Sequence, residues 1–333
     1  MENVLVFFMF FVGLLIIIKG GDLFVDAAVW IAIATGIPKI LVGATLVSLA
    51  TTLPELFVST IAIIKGHPEM AIGNAIGSTI CNIGLVLGIC ACISPIRVRR
   101  KFFSIKGFMM MLSLICFYVF AYDQTVMKVE GFVLILFLII YIIINVVEFN
   151  QAGSSNGFRS SYKTKRLHIF VNILKFVIGA CGIVIGARLL VDNGVQIAEI
   201  LHIPEQIVSL TLIALGTSLP ELVTAVTATI KGHEGISVGN IIGANILNIT
   251  MVLGVSSIIP KNGLTISTRN IELFHKILTD VPQTLVLDMP MSFLLMSLLV
   301  LCGTFRRKID RKHGFLIFVL YAAYIGVLAA ISF

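Results

Sequence analysis

Residues 43–88 recur as residues 209–254 without a gap, at a constant offset of 166 (221 − 55), and roughly half of the paired positions are identical. Thr51-Thr52-Leu53-Pro54-Glu55 returns as Thr217-Ser218-Leu219-Pro220-Glu221, and Lys65-Gly66-His67 as Lys231-Gly232-His233. Gly73-Asn74 returns as Gly239-Asn240, Gly77 as Gly243 and Asn82 as Asn248, while upstream Asp26 pairs with Asp192. Self-similarity of this length means two structural copies in one chain. Each copy is hydrophobic, with one Pro-Glu in mid-run and one Asn further on. Corresponding interruptions in two hydrophobic halves mark the place where membrane repeats build a shared binding site.

Both copies belong in a bilayer. Of 333 residues, 58% are hydrophobic and 12% charged, with a mean hydropathy of +1.06, whereas soluble domains carry about 25% charged residues. A span needs about 20 apolar residues, which predicts ten: 3–32, 39–65, 70–95, 103–122, 129–148, 166–200, 206–231, 236–259, 285–304 and 313–332. Five spans per copy bring the second into the membrane from the opposite side. The expected fold is an all-α polytopic membrane protein of ten transmembrane helices in two inverted five-helix repeats. The first repeat covers 1–148 and the second 166–333, joined by a flexible Gly/Ser-rich cytoplasmic linker at 149–165. An insertion of about 17 residues between 260 and 290 has no counterpart in the first repeat (314 − 131 = 183, against 166). It reads equally well as a surface helix or as an extended loop.

The net charge of +7 would suggest nucleic acid in a soluble chain. Here it sits in loops: Arg97, Arg99, Arg100 and Lys101, then Arg159, Lys163, Lys165 and Arg166, then Arg306, Arg307, Lys308, Arg311 and Lys312. Ten spans put all three on one face, expected to be cytoplasmic in the plasma membrane, with both termini outside. The six cysteines lie in apolar runs without metal-type spacing and read as buried free thiols.

Glu55 and Glu221 fall near the middle of their spans. A carboxylate there costs about 2.5–3.5 kcal/mol on insertion scales and marks function by default. Pro54 has no N–H to give the Ala50 carbonyl, nor Pro220 the Gly216 carbonyl, so each motif frees a backbone oxygen at membrane depth. Together with the hydroxyls of Thr51, Thr52, Thr217 and Ser218, these are hard oxygen donors suited to calcium- or sodium-like cations. The glycines at 73, 77, 239 and 243 allow close helix packing, which is expected to bring Ser78 and Asn82 against the Pro-Glu helix and toward Glu55. Asn82 and Asn248 read as ligands, Asn74 and Asn240 as caps or packing groups, and His67 and His233 as solvated turn residues. No nucleophile–base pair stands at membrane depth, so an enzyme is not expected.

Gly43 to Glu55 with Gly73 to Gly84 resembles the first α-repeat of the calcium/cation antiporter superfamily, and Thr211 to Gly254 its second; prokaryotic sodium/calcium exchangers are the nearest pattern. The resemblance implies four ion sites between the second, third, seventh and eighth spans, with Glu55 and Glu221 shared by Ca2+ and Na+. It implies further ligands at Thr51, Thr52, Ser78, Asn82, Thr217 and Ser218 and at the carbonyls of Ser48 and Ala214, with the first and sixth spans sliding as a gate. Two positions depart: Asn248 stands where these exchangers commonly carry Asp, and Ala244 where they have Ser. The expected function is calcium/sodium antiport by alternating access, with H+ or K+ as the alternative coupling ion and a channel or ion-sensing scaffold as the rival. No resident cofactor is expected, the ions being cargo, and a monomer is expected to suffice.

Overall fold

The computed structural model describes residues 2–34, 47–98, 100–152, 166–230, 232, 234–273 and 276–331. The start of the second predicted span, most of the linker, His233 and His275 lie outside the described residues. The first repeat holds α1 (Glu2–Ala34), α2 (Val47–Thr51), α3 (Leu53–Ile64) and α4 (Pro68–Cys81). After α4 a π-helical turn, Asn82–Leu87, leads into α5 (Gly88–Ile93), and α6 (Arg100–Phe120) and α7 (Lys128–Ala152) follow. The second repeat holds α8 (Arg166–Leu201), α9 (Glu205–Val208), a π-helical turn at Ser209–Ile213, α10 (Ala214–Thr217) and α11 (Leu219–Ile230). Next come α12 (Glu234–Leu247), a π-helical turn at Asn248–Leu253 and α13 (Gly254–Ile258), then α14 (Met289–Arg306) and α15 (Arg311–Ala330). Among the described residues eight helices are long and apolar enough to cross a membrane, and the pair Glu205–Thr217 and Leu219–Ile230, bent by 45°, makes a ninth.

The Pro-Glu motifs interrupt their spans as proline chemistry requires. α2 ends at Thr51 and α3 begins at Leu53, and α10 and α11 divide at Ser218 in the same way. α1 and α8 lie against each other along rows of glycine. A Cβ on Gly20 would sit 2.9 Å from the Ile183 backbone, and one on Gly179 would sit 2.6 Å from that of Phe24. Two short strand pairs gather the connecting loops. β1 (Ile96–Arg97) pairs with β6 (Lys308–Ile309), joining two of the basic loops, and β2 (Thr125–Val126) pairs with β3 (Leu264–Thr265).

The insertion between 260 and 290 is neither a helix nor a plain loop. It forms an antiparallel hairpin of β4 (Arg269–Leu273) and β5 (Lys276–Val281). Its β-branched residues (Ile271, Ile277, Thr279 and Val281) suit paired strands better than a helical face. At its base lies a buried polar hub that sequence reading overlooked. Asp288 accepts from Gln206 Nε2 at 3.0 Å, from Gln283 Nε2 at 3.0 Å and from the Tyr324 hydroxyl at 2.9 Å. Gln206 also donates to Thr284 Oγ1 at 2.9 Å. Arg269 of the hairpin adds charge beside this hub; burial holds its pKa below the usual guanidinium value, with Asp288 and Glu69 pulling the other way. His67 is likewise not a solvated turn residue: its Nδ1 lies 2.8 Å from Glu205 Oε2, both side chains being half-buried. Neighbouring Lys65 pairs with Asp192 of α8. Of the cysteines, Cys81 and Cys90 are buried as expected, whereas Cys181 is exposed.

Candidate ion-binding site

Glu55 and Glu221 are each 0% exposed, and their motifs meet across the two repeats. Each is flanked by hydroxyls of the opposite repeat. Ser218 Oγ donates to Glu55 Oε1 at 3.5 Å with Thr217 alongside, and Thr51 stands beside Glu221 without closing a hydrogen bond. Among the described residues Glu55 Oε2 and both carboxylate oxygens of Glu221 have no hydrogen-bond partner, and neither acid has a Lys, Arg or His partner. Burying two such carboxylates is prohibitive unless cations or protons neutralise them. The geometry therefore calls for positive charge at this point.

The surrounding donors are oxygens. Thr52 Oγ1 donates to the Ser48 carbonyl at 2.8 Å and Thr51 Oγ1 does so at 3.3 Å, so that carbonyl is already engaged by hydroxyls. The Ala214 carbonyl is engaged in the same way by Thr217 at 3.4 Å. Ser78 Oγ lies 3.4 Å from Thr217 Oγ1, which places Ser78 against the second repeat's motif. Asn82 and Asn248 are fully buried, each opening its π-helical turn. Asn82 Oδ1 and both amide atoms of Asn248 are without partners among the described residues. π-Helical turns break the regular bonding ladder and cluster at functional sites; nothing in the sequence periodicity announced them.

α4 packs on its own repeat's Pro-Glu helix as expected, with Asn74 and Ser59 bonding across the contact, but its glycines face the other repeat. A Cβ on Gly77 would sit 2.8 Å from Ala214 Cβ and 2.9 Å from the Leu210 backbone, and one on Gly243 would sit 2.7 Å from Ser48 Oγ. Gly77→Ala should therefore destabilise by about 1–3 kcal/mol, as overpacking does, and reduce transport. Gly326, exposed on α15 with no atom of the described residues within 4 Å of a Cβ placed there, should tolerate alanine. Thermal unfolding of both purified variants checks this, and equal midpoints would contradict it.

Asn74 and Asn240 are not caps. Asn74 sits in mid-helix, donates to the Glu55 carbonyl at 3.1 Å and to Ser59 Oγ at 3.0 Å, and accepts from Thr217 Oγ1 at 3.2 Å. Asn240 Oδ1 accepts from Ser48 Oγ at 2.9 Å. Their recurrence in both copies was the signal that could have found them. Asn245, whose amide meets that of Asn82 at 3.1 Å, has no Asn counterpart in the first copy and escaped the repeat comparison.

The sodium/calcium exchanger protein family model matches residues 5–147 and 171–330. This chain belongs to the sodium/calcium exchanger family. One relative of this exchanger chain is sodium/calcium exchanger MaX1 of Methanosarcina acetivorans, 30% identical over 97% of this chain and 98% of that protein. Another is an uncharacterised membrane protein of Methanocaldococcus jannaschii, 34% identical over 94% of each. Among solved structures, the sodium-calcium exchanger NCX_Mj soaked with 10 mM Na+ and zero Ca2+ superposes with a TM-score of 0.65 at 31% identity, covering 97% of this chain and 99% of that one. Family membership and a multi-pass membrane fold are thereby established, and MaX1 and NCX_Mj are both exchangers by name.

Proposed function

We propose that this chain exchanges Ca2+ for Na+ across the plasma membrane by alternating access, through one site shared between two inverted five-span repeats. The observation that carries the reading is the pair of buried glutamates, one from each repeat, with unpartnered oxygens and hydroxyls donated by the other repeat. Ca2+ and Na+ compete for the same oxygens, so each drives the other across. Glu55, Glu221, Asn82 and Asn248 supply side-chain oxygens, and Thr51, Thr52, Ser78, Thr217 and Ser218 supply hydroxyls. The carbonyls of Ser48 and Ala214 join once the threonines turn away. The basic loops face the cytoplasm, and α1 with α8 serves as the moving gate.

Neutral Asn248 leaves two formal negative charges in the site. These balance one Ca2+ or two Na+; a third Na+ would carry a net positive charge through the membrane. Calcium-45 uptake into proteoliposomes, with Na+, K+ and H+ gradients imposed one at a time, tests the reading. Uptake driven by an outward Na+ gradient alone is expected. Uptake driven only by a pH gradient would overturn sodium coupling in favour of protons. Electroneutral exchange indicates two Na+ per Ca2+, and an accompanying current indicates three.

A further inference from the structure

The Asn82 amide has a fixed sense, set from outside the group of ligands. Asn245 Nδ2 donates to the Thr79 carbonyl at 3.4 Å. A carbonyl only accepts, so Asn245 must turn its NH2 toward Thr79 and its Oδ1 away. That oxygen accepts from Asn82 Nδ2 at 3.1 Å. What remains of the Asn82 amide is Oδ1, fully buried and without a partner among the described residues. Amide N and O are nearly identical in shape and are told apart only by such a network. Here the backbone of residue 79 fixes the polarity of the whole relay.

The second repeat lacks this device. The counterpart of Asn82 is Asn248, and the counterpart of Asn245 is Thr79 (245 − 166). The Thr79 hydroxyl donates within its own helix to the Ala75 carbonyl at 2.9 Å, and both amide atoms of Asn248 stay unpartnered among the described residues. Two asparagines at matching repeat positions are thus inequivalent, one aligned and one free to turn.

We infer that Asn245 is a positioning residue that commits Asn82 to present its oxygen, never its NH2, to the bound cation, so that Asn82 is a pre-oriented ligand while Asn248 turns on ion arrival. The inference rests on the reading of this site as a cation site. Residues that orient a metal ligand typically contribute about 10–100-fold to affinity.

The test is equilibrium binding of calcium-45 to the purified full chain, which needs no assumption about the coupling ion. Asn245→Ala should raise the Kd about 10-fold. The same substitution in an Asn82→Asp background should leave the Kd unchanged or lower it, because a carboxylate has an oxygen on either side and no wrong face. A merely structural role would weaken both backgrounds alike, which a double-mutant cycle reveals. Asn245→Leu, of similar volume, serves if the alanine variant fails to fold. Equal weakening in both backgrounds, or none in the unsubstituted one, overturns this inference alone. Absence of calcium binding by the unsubstituted protein overturns the cation-site reading as well.

Discussion

Glu221→Gln abolishes sodium-driven calcium uptake, and Glu55→Gln does the same, while both variants remain folded. The glutamine amide keeps the shape of the side chain, so the packing around α3 and α11 survives. It removes the charge that makes a dehydrated divalent cation tolerable at membrane depth. At an effective dielectric of about 20, one charge pair at about 4 Å is worth roughly 4 kcal/mol, close to a thousandfold in affinity for each unit of cation charge. Divalent Ca2+ loses more than Na+, so residual sodium binding should outlast calcium binding in either variant. Calcium-45 uptake into sodium-loaded vesicles is the measurement. Near-normal uptake by both variants would show that the carboxylates do not hold the cargo.

The second large effect is on stability. Asp288→Ala strips the acceptor from Gln206, Gln283 and Tyr324, which all donate to it in a fully buried setting. It also removes an acidic charge that favours the Arg269 guanidinium. Breaking a buried charged network in this way typically costs about 3–5 kcal/mol. A markedly lower unfolding temperature is expected, with Asp288→Asn in between because its one oxygen still accepts. The hub ties the head of α9 to α14 and α15 and includes none of the candidate ligands, so apparent calcium affinity in the surviving protein should not change. An unshifted unfolding midpoint for Asp288→Ala would remove the hub from the account of stability.

The duplication made the candidate site legible. Glu55 with Glu221, and Asn82 with Asn248, stood out because an acid or amide repeated at matching depth in a hydrophobic chain has few other uses. Helix placement was legible for the same physical reason, since apolar runs of span length leave the backbone no alternative in lipid. What escaped is what symmetry does not repeat. Asp288, Gln206 and Arg269 are far apart in sequence and belong to one copy only, so no spacing rule joins them. The hairpin grows from an insertion with no counterpart to calibrate it. Asn74 was visible but read as a cap or packing group, because it falls near the start of the predicted 70–95 span, whereas Pro68 had already opened that helix. The cross-repeat reach of Gly77 and Gly243 is tertiary, and sequence spacing alone identifies a smooth helix face without naming its partner.

The backbone-to-backbone seam between α1 and α8 carries one further implication. Helices that touch through glycine have no side-chain cushion between them, so a push on either is delivered whole to its neighbour. A barrier assembled from such a fused pair behaves as a single shutter rather than two flaps. In the exchange cycle proposed above, such a shutter would cover one entrance as it cleared the other.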